Sequence, residues 1–200
     1  MEPNEWKQAA SETSEDIKRI KKLIRYYEYS SRENSIITDE KICDFFVRKI
    51  REAKDMLFGM IETMYELQEE KMINKKLEEL KDTLDIFSDE IKVRHCEWKD
   101  IDLEWIKKLV KHDEYLLSGL VDLNSFLENF SRDILKSEEI RSDGTVVYDK
   151  LFWEDMEGRA KKAEEQIERL VIAFRERDAI CNIKPISLER TFQKIRKEIE

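Results

Sequence analysis

Helix-breaking residues are scarce in this sequence. Its 200 residues include only four glycines and two prolines. A sheet with many tight turns needs more of both, so their scarcity argues against such folds and favours long helices. Charged residues make up 42% of the chain, which suits helices that bury one apolar stripe and expose a wide polar face. With 40% hydrophobic residues, the chain has enough apolar side chains for a real core.

Long apolar runs and closely spaced cysteines are also missing. No run approaches the ~18 consecutive apolar residues of a membrane span. The first residues lack the basic-then-apolar pattern of a signal peptide. The three cysteines, Cys43, Cys96 and Cys181, lie far apart without the spacing of a metal site, which is typical of reduced thiols. We therefore expect a cytoplasmic protein without a membrane segment.

Apolar residues recur at helical spacing along the chain and predict about seven helices. The first is expected to run from residue 11 or 14 to residue 32. A polar break then precedes a second helix that begins at Thr38, with Asp39 in its first turn, where an acid favours the helix dipole. The apolar stripe changes phase near residues 68–72, which predicts a turn between the second and third helices.

The second half of the chain predicts four more helices. A short fourth helix is expected to begin at Asp100 or Asp102. The fifth carries an unbroken apolar stripe over residues 116–134 and ends before the turn-forming residues 141–144. A sixth helix covers residues 152–174, and Ser187 is expected to cap a last helix that runs to the C-terminus.

Several kinds of site are excluded by their missing motifs. The sequence has no Gly-rich phosphate loop, no Cys-x-x-Cys and no His-Glu-x-x-His. A ferritin-like di-iron bundle needs Glu-x-x-His pairs, and neither His95 nor His112 has a glutamate three residues before it. The pair His112-Asp113 suggests an HD-type phosphohydrolase, but His95 alone cannot supply the further histidine ligands that such a site needs.

Pairs of acids at helical spacing are the remaining candidates for metal ligands. Acid-x-x-acid spacing puts two carboxylates on one face of a helix, close enough to share a divalent ion. With 46 acids among 200 residues, such pairs also arise often by chance on a solvated face. The pairs considered are Glu66/Glu69, Glu79/Asp82 and Asp82/Asp85.

One segment of the fifth helix resembles a known family. Residues 113–123 read Asp-Glu-Tyr-Leu-Leu-Ser-Gly-Leu-Val-Asp-Leu, followed by Leu127 and Ser131 at matching positions. This resembles the signature helix of the translin family, which has an acidic residue, Tyr-Leu, Ser-Gly or Leu-Gly, and an apolar run. Residues 16–22 also resemble the family's first helix. The resemblance covers nearly the whole chain, with helix number, order and length in agreement, but only the fifth helix is specific.

The resemblance implies a fold and an activity. Translin-family proteins are all-helical and form closed octameric shells that enclose nucleic acid. Within the family, this chain most resembles the catalytic branch called translin-associated factor X, which uses three acidic residues to hold Mg²⁺ and cut single-stranded RNA. The acid in the family's Gly-apolar-apolar-Asp-Leu segment corresponds to Asp122, and the best match to its Glu-x-x-Glu pair is Asp82 and Asp85. This chain departs from the pattern by having Asp for Glu in the pair and Phe126 in place of a fourth acid.

We therefore expect a single translin-like helical domain over residues 1–200, an antiparallel bundle that assembles into a homo-oligomer such as an octamer. The catalytic and metal-binding residues implied by the resemblance are Asp82, Asp85 and Asp122, the cofactor is Mg²⁺, and the partner is single-stranded or short duplex RNA. Two alternatives remain open: a non-catalytic shell that binds RNA or single-stranded DNA, and a helical scaffold with no nucleic-acid role.

Net charge is the main observation against RNA as a partner. The chain carries −9, and eight copies would carry −72 (8 × −9), which repels RNA unless charge is segregated. Two basic clusters exist in the first and second helices, and we expect some of their members to line an inner wall. The clusters are Lys18, Arg19, Lys21, Lys22 and Arg25, and Arg48, Lys49 and Arg51.

Overall fold

The computed structural model describes residues 3–66, 71–94, 103–136, 139–140, 146–147 and 150–181. Within these ranges the fold is all-helical apart from one short antiparallel ribbon, as the sequence predicts, and none of the helices is long and apolar enough to cross a membrane. The elements are α1 (Pro3–Glu12), α2 (Ser14–Leu23), α3 (Arg32–Glu66), α4 (Lys71–Val93), α5 (Leu103–Lys136), β1 (Glu139–Ile140), β2 (Val146–Val147) and α6 (Lys150–Ile180).

The predicted apolar stripes are buried. On α5 the six stripe residues from Leu116 to Ile134 are at most 1% exposed. The described members of the α3, α4 and α6 stripes are also buried, except Phe152 near the start of α6, which is half-buried. Helix α3 is described to Glu66 and α4 from Lys71. Of the predicted turn near residues 68–72, the last two residues are in α4 and the rest lie outside the described residues. Apolar periodicity therefore identified the buried face of each long helix correctly.

The structure corrects the helix boundaries near the N-terminus. Helix α2 begins at Ser14, one of the two expected starts of the first helix, but it ends at Leu23 rather than at residue 32. Helix α1 precedes it and was not expected. Helix α3 begins at Arg32, where the Ser31 hydroxyl accepts a hydrogen bond from the backbone N–H of Asn34 at 3.1 Å, as an N-cap does. Thr38 is inside α3, and its hydroxyl binds the backbone N–H and C=O of Glu28 instead of capping a helix.

The expected short fourth helix is also corrected. Residues from Leu103 onward belong to the same helix as the signature segment, so the fourth and fifth predicted helices are one, α5. Its predicted start at Asp100 or Asp102 and the expected last helix from Ser187 both lie outside the described residues. Across the described ranges there are thus six helices against about seven expected.

Internal contacts divide the chain into two compact units. Unit 1 comprises Met1–Phe45, Asp89–Leu117 and Ile172–Glu200, and unit 2 comprises Phe46–Ser88 and Ser118–Val171. Unit 1 contains α1, α2 and the segment that joins α2 to α3. Unit 2 contains a segment from each of the four long helices. The prediction of a single domain stays a prediction.

The segment between α2 and α3 contains the one non-glycine residue with a positive φ in the described chain. Tyr26 has φ 64°, a conformation that a bulky side chain rarely adopts. The next residue, Tyr27, and Tyr29 are fully buried, whereas Tyr26 is 66% exposed. The turn therefore sends one tyrosine outward and two inward.

Candidate functional site

Two of the three predicted metal ligands lie one turn apart on α4, in unit 2. Asp82 has a side chain that is 70% exposed, with Lys81 Nζ 3.2 Å from its Oδ1. The Asp85 side chain is 44% exposed and forms an ion pair with Lys54 of α3. Their positions off the apolar stripe agree with this exposure. Asp82 is thus open to a ligand, while a metal ion at Asp85 would have to displace Lys54.

The third predicted ligand, Asp122, is on α5 in unit 2. Its side chain is exposed, and no ion pair holds it within the part of the chain that the structure describes. Four residues later stands Phe126, which the family pattern would have as an acid. Its ring packs 6.2 Å from that of Phe130, and Lys162 Nζ lies 5.6 Å from its centroid. Phe126 therefore extends the apolar packing of α5 and offers no ligand.

The donor chemistry suits magnesium, but one chain does not gather three donors. Mg²⁺ takes oxygen ligands and is commonly held by one or two carboxylates with several waters. Among the described residues, no group of three His, Cys, Asp or Glu side chains could hold a metal ion. The centre of Asp82, Asp85 and Asp122 is therefore not formed within the described part of one chain. It stays a prediction for an assembly of chains.

A cavity of about 500 Å³ opens between α4 and α6 in unit 2. Met72, Ile73 and Ala160 contribute its apolar lining, and lysines and glutamates of both helices contribute the rest. None of the three predicted aspartates belongs to the lining. The cavity therefore adds nothing to the predicted metal site.

The signature glycine of α5 has a packing role. An ideal Cβ built on Gly119 would lie 3.2 Å from Leu170 Cδ2 of α6, closer than most real Cβ contacts. A glycine here allows α5 and α6 to approach closely within unit 2. The small residue of the signature is thus explained by helix packing.

The signature acid, Asp113, belongs to a buried cluster in unit 1. Asp113 and Arg177 of α6 are both completely buried. Arg177 Nε donates to Asp113 Oδ1 at 2.5 Å, its Nη1 donates to Asp39 Oδ1 at 2.5 Å, and its Nη2 donates to the hydroxyl of Tyr29 at 3.1 Å. One guanidinium therefore ties together α3, α5, α6 and the α2–α3 connection.

Two tyrosines complete the hydrogen bonding of Asp113. The hydroxyls of Tyr27 and Tyr29 donate to Asp113 Oδ2 at 2.7 and 2.6 Å, and their rings meet edge to face at 5.2 Å. Burial raises the pKa of both phenols well above the ordinary value, and the negative charge of Asp113 raises it further. Both tyrosines thus remain protonated donors over the whole physiological pH range.

A second arginine extends the cluster. Arg94 Nη1 donates to Asp39 Oδ2 at 2.8 Å and to Cys43 Sγ at 2.7 Å, and its Nη2 donates to Asp178 Oδ1 at 2.5 Å. Burial opposes ionisation of Asp39, but Arg177 and Arg94 outweigh it and lower the pKa of the carboxyl. Burial raises the pKa of Asp178, and it raises that of the Cys43 thiol to about 11.

This cluster is structural. Both oxygens of Asp113 are occupied by donors from the chain and closed to solvent, so Asp113 cannot bind a metal ion without unfolding unit 1. His112 Nε2 lies 2.7 Å from the backbone oxygen of Ala173. An HD-type phosphohydrolase centre is therefore absent at this pair.

The expectation that Asp39 serves the first turn of a helix is wrong, because Asp39 is buried within α3 and binds two arginines.

The basic residues of α2 divide into two groups. Lys18 and Arg19 are engaged, Lys18 by Glu15 and Arg19 by Asp16 and Glu114. The others, Lys21, Lys22 and Arg25, are exposed at the end of α2 and just after it. In the second cluster, Lys49 pairs with Glu52 at 2.6 Å.

Sequence reasoning missed an exposed aromatic residue beside these cations. Arg25 Cζ lies 4.9 Å from the centroid of the Tyr26 ring, and Lys41 Nζ of α3 also lies 4.9 Å from it. The signal in the sequence was the run Arg25-Tyr26-Tyr27-Glu28-Tyr29, which places three tyrosines beside an arginine. Which one faces outward depends on the turn, and periodicity does not reveal it.

No protein-family model, curated protein or solved structure matches this chain. The likeness to the translin family therefore rests on the residues of α5 and on the helical pattern alone.

Proposed function

We propose that this protein binds single-stranded RNA and, as an oligomer, cleaves it in a Mg²⁺-dependent reaction. The observation that carries the proposal is the exposure of Asp82 and Asp122, two acids at the positions that the resemblance assigns to metal ligands. Asp122 has no ion-pair partner among the described residues, and Asp82 is paired with its chain neighbour Lys81 at 3.2 Å. These two are open to a neighbouring chain, an ion or a substrate.

Magnesium bound by Asp82, Asp85 and Asp122 would polarise a phosphodiester oxygen and lower the pKa of a bound water. The chain's own contribution would be to hold the ion by carboxylates and to release Asp85 from Lys54. Lys54 is part-buried beside Asp85, so its ammonium would be left next to the ion or the phosphate. A cation in this place favours the negative charge that accumulates during phosphoryl transfer.

A second candidate function is RNA binding without cleavage. It is favoured by the Lys54–Asp85 ion pair and by the lack of a three-donor group in the described residues. A protein of this kind would bind RNA equally well with and without Mg²⁺. The two candidates therefore differ in whether the protein cleaves RNA when Mg²⁺ is present.

The test is cleavage of a labelled single-stranded RNA with Mg²⁺ or with a chelator. The proposal expects cleavage only with Mg²⁺, and at least a hundredfold loss on Asp122→Ala or Asp82→Ala, since one metal ligand is removed. Glu128→Ala and Asp89→Ala are matched controls, because they remove exposed acids of α5 and α4 that pair with Arg132 and Lys92. Equal cleavage by wild-type and Asp122→Ala protein would disprove the proposed centre, and binding without cleavage would establish the second candidate.

A further inference from the structure

We infer that Tyr26 is a stacking platform for an unpaired base of single-stranded nucleic acid, with Arg25 and the lysines at the end of α2 placed to meet the adjoining phosphates. The site lies in unit 1, at the turn that follows α2. It shares the ligand class of the proposed function but needs none of the three aspartates. A base-stacking platform is a binding device and can exist in a protein that cleaves nothing.

The first argument is the fixed outward position of the ring. Tyr27 and Tyr29 are both anchored through their hydroxyls to the buried Asp113, and Tyr29 also accepts from Arg177. Because Tyr27 and Tyr29 are held inward, Tyr26 adopts a φ of 64° and is 66% exposed. A strained conformation in a bulky residue persists only where the surrounding structure holds it, and it is a pointer to function. The backbone at Tyr26 therefore needs little rearrangement for a base to stack on the ring.

The second argument is the charge around the ring. Arg25 and Lys41 each lie over the ring, 4.9 Å from its centroid, in cation–π contact. A base that stacks on Tyr26 therefore displaces at least one of these cations from the ring face. Lys21 and Lys22 are exposed in the last turn of α2, immediately before this turn. Lysines near a helix C-terminus also stabilise the helix dipole, but that effect requires no exposed aromatic ring beside them. Aromatic rings with flanking cations are what single-stranded nucleic-acid sites combine.

The ligand class follows from these two features. An exposed ring with cations against it attracts a flat aromatic group joined to a negative charge, which describes a nucleotide. In a duplex the faces of the bases are stacked on one another and closed to a side chain, so an unpaired base is required. Two exposed acids, Glu40 and Asp44, lie on α3 near Lys41 in sequence. We therefore assign the phosphate contacts chiefly to Arg25 and the lysines of α2.

The test uses fluorescence anisotropy with a labelled single-stranded oligouridylate, and with an RNA duplex of equal length, in the presence of a chelator. Tyr26→Ala is expected to weaken single-strand binding by roughly 5- to 150-fold, the equivalent of about 1–3 kcal/mol for one stacked base. Tyr26→Phe retains the ring and should bind within about threefold of wild type, on the same stacking argument. Duplex binding should not change with any of these variants.

Three further variants separate base stacking from folding, from nonspecific binding and from phosphate contacts. Tyr26→Gly accepts the positive φ without strain but has no ring, so it should bind as weakly as Tyr26→Ala while remaining folded. Tyr115→Ala removes a tyrosine of α5 that is 54% exposed, and it should bind as wild type does. Lys22→Met should reduce the salt slope of binding by about 0.7, as expected for one lost phosphate contact.

Three outcomes would overturn the site: no single-strand binding by wild-type protein, equal binding by wild type and Tyr26→Ala, or equally weak binding by Tyr26→Phe and Tyr26→Ala. Tyr26-dependent binding in a protein that never cleaves RNA would support the site and refute only the proposed nuclease. Cleavage that depends on Asp122 but not on Tyr26 would refute only the site.

Discussion

Replacing Arg177 with methionine removes the positive charge at the centre of unit 1. The variant would leave Asp113, which is completely buried, and Asp39, which is 5% exposed, without their shared partner. Methionine has a similar length and fills much of the space, so loss of charge and hydrogen bonds dominates the effect. Breaking a buried ion pair from one side costs about 3–5 kcal/mol. Asp113 keeps two tyrosine donors and Asp39 keeps Arg94, which places the expected loss at the lower end of this range.

The assay is urea unfolding followed by circular dichroism. With a slope near 3 kcal/mol per molar urea, a loss of about 3 kcal/mol lowers the midpoint by about 1 M. Arg169→Met is the control on the same helix, because the Arg169 side chain is 71% exposed and its contact with Glu165 is 3.9 Å long. That control should change the stability by less than about 1 kcal/mol. A loss no greater for Arg177→Met than for Arg169→Met would refute the structural role of the cluster.

The other predictions concern the buried phenols and the predicted metal ligands. The pKa of Tyr27 and of Tyr29 lies above the ordinary 10.0, so the stability they contribute is complete below pH 10.0 and is lost as pH rises towards their folded-state pKa. The double variant Tyr27→Phe/Tyr29→Phe should therefore show a smaller loss of stability above pH 10.0, measured by unfolding at a series of pH values; an unchanged slope would contradict it. Lys54→Met removes the competitor for Asp85 and should tighten Mg²⁺ binding up to about fivefold by calorimetry, because a part-exposed pair contributes at most about 1 kcal/mol. Lys49→Met, which frees Glu52 on the same helix, should leave Mg²⁺ binding unchanged, and an equal response of both variants would argue against Asp85 as a ligand.

The long helices could be predicted because their information is local. The stripe of α5 repeats every three or four residues over residues 116–134, and each member is buried. The start of α3 could not be predicted in this way. Thr38 and Asp39 are expected at the start of a helix, and Ser35 lies just after the expected polar break, yet all three are buried inside α3. Asp39 is stabilised there by Arg177, which is 138 residues away in the chain, and no local pattern carries such a partner.

Two members of the buried cluster could be recognised from the sequence pattern. Asp113 lies three residues before Leu116, and Arg177 lies three residues after Phe174, so both are in phase with apolar stripes. A charged residue in phase with a buried stripe predicts a buried ion pair, because an unpaired charge could not be accommodated there. The pairing itself was beyond prediction, since several acids and arginines could satisfy the same rule. The exposure of Asp82 and Asp122 was predicted correctly, whereas their meeting in an assembly depends on contacts between chains.

The structure also shows which residues of the α5 signature are explained by the fold and which one supports a catalytic role. Asp113 binds Arg177 and two tyrosines, and Gly119 makes room for Leu170, so both residues are explained by the fold of this chain. A helical protein with no relation to RNA would need the same residues for the same packing. Asp122 differs from them, because its exposed carboxylate has no ion-pair partner in the described part of the chain. The catalytic proposal therefore depends on Asp122 far more than on the likeness of the whole helix. For this reason Asp122→Ala, with Glu128→Ala beside it, separates a nuclease from a helical bundle that resembles one only in its packing.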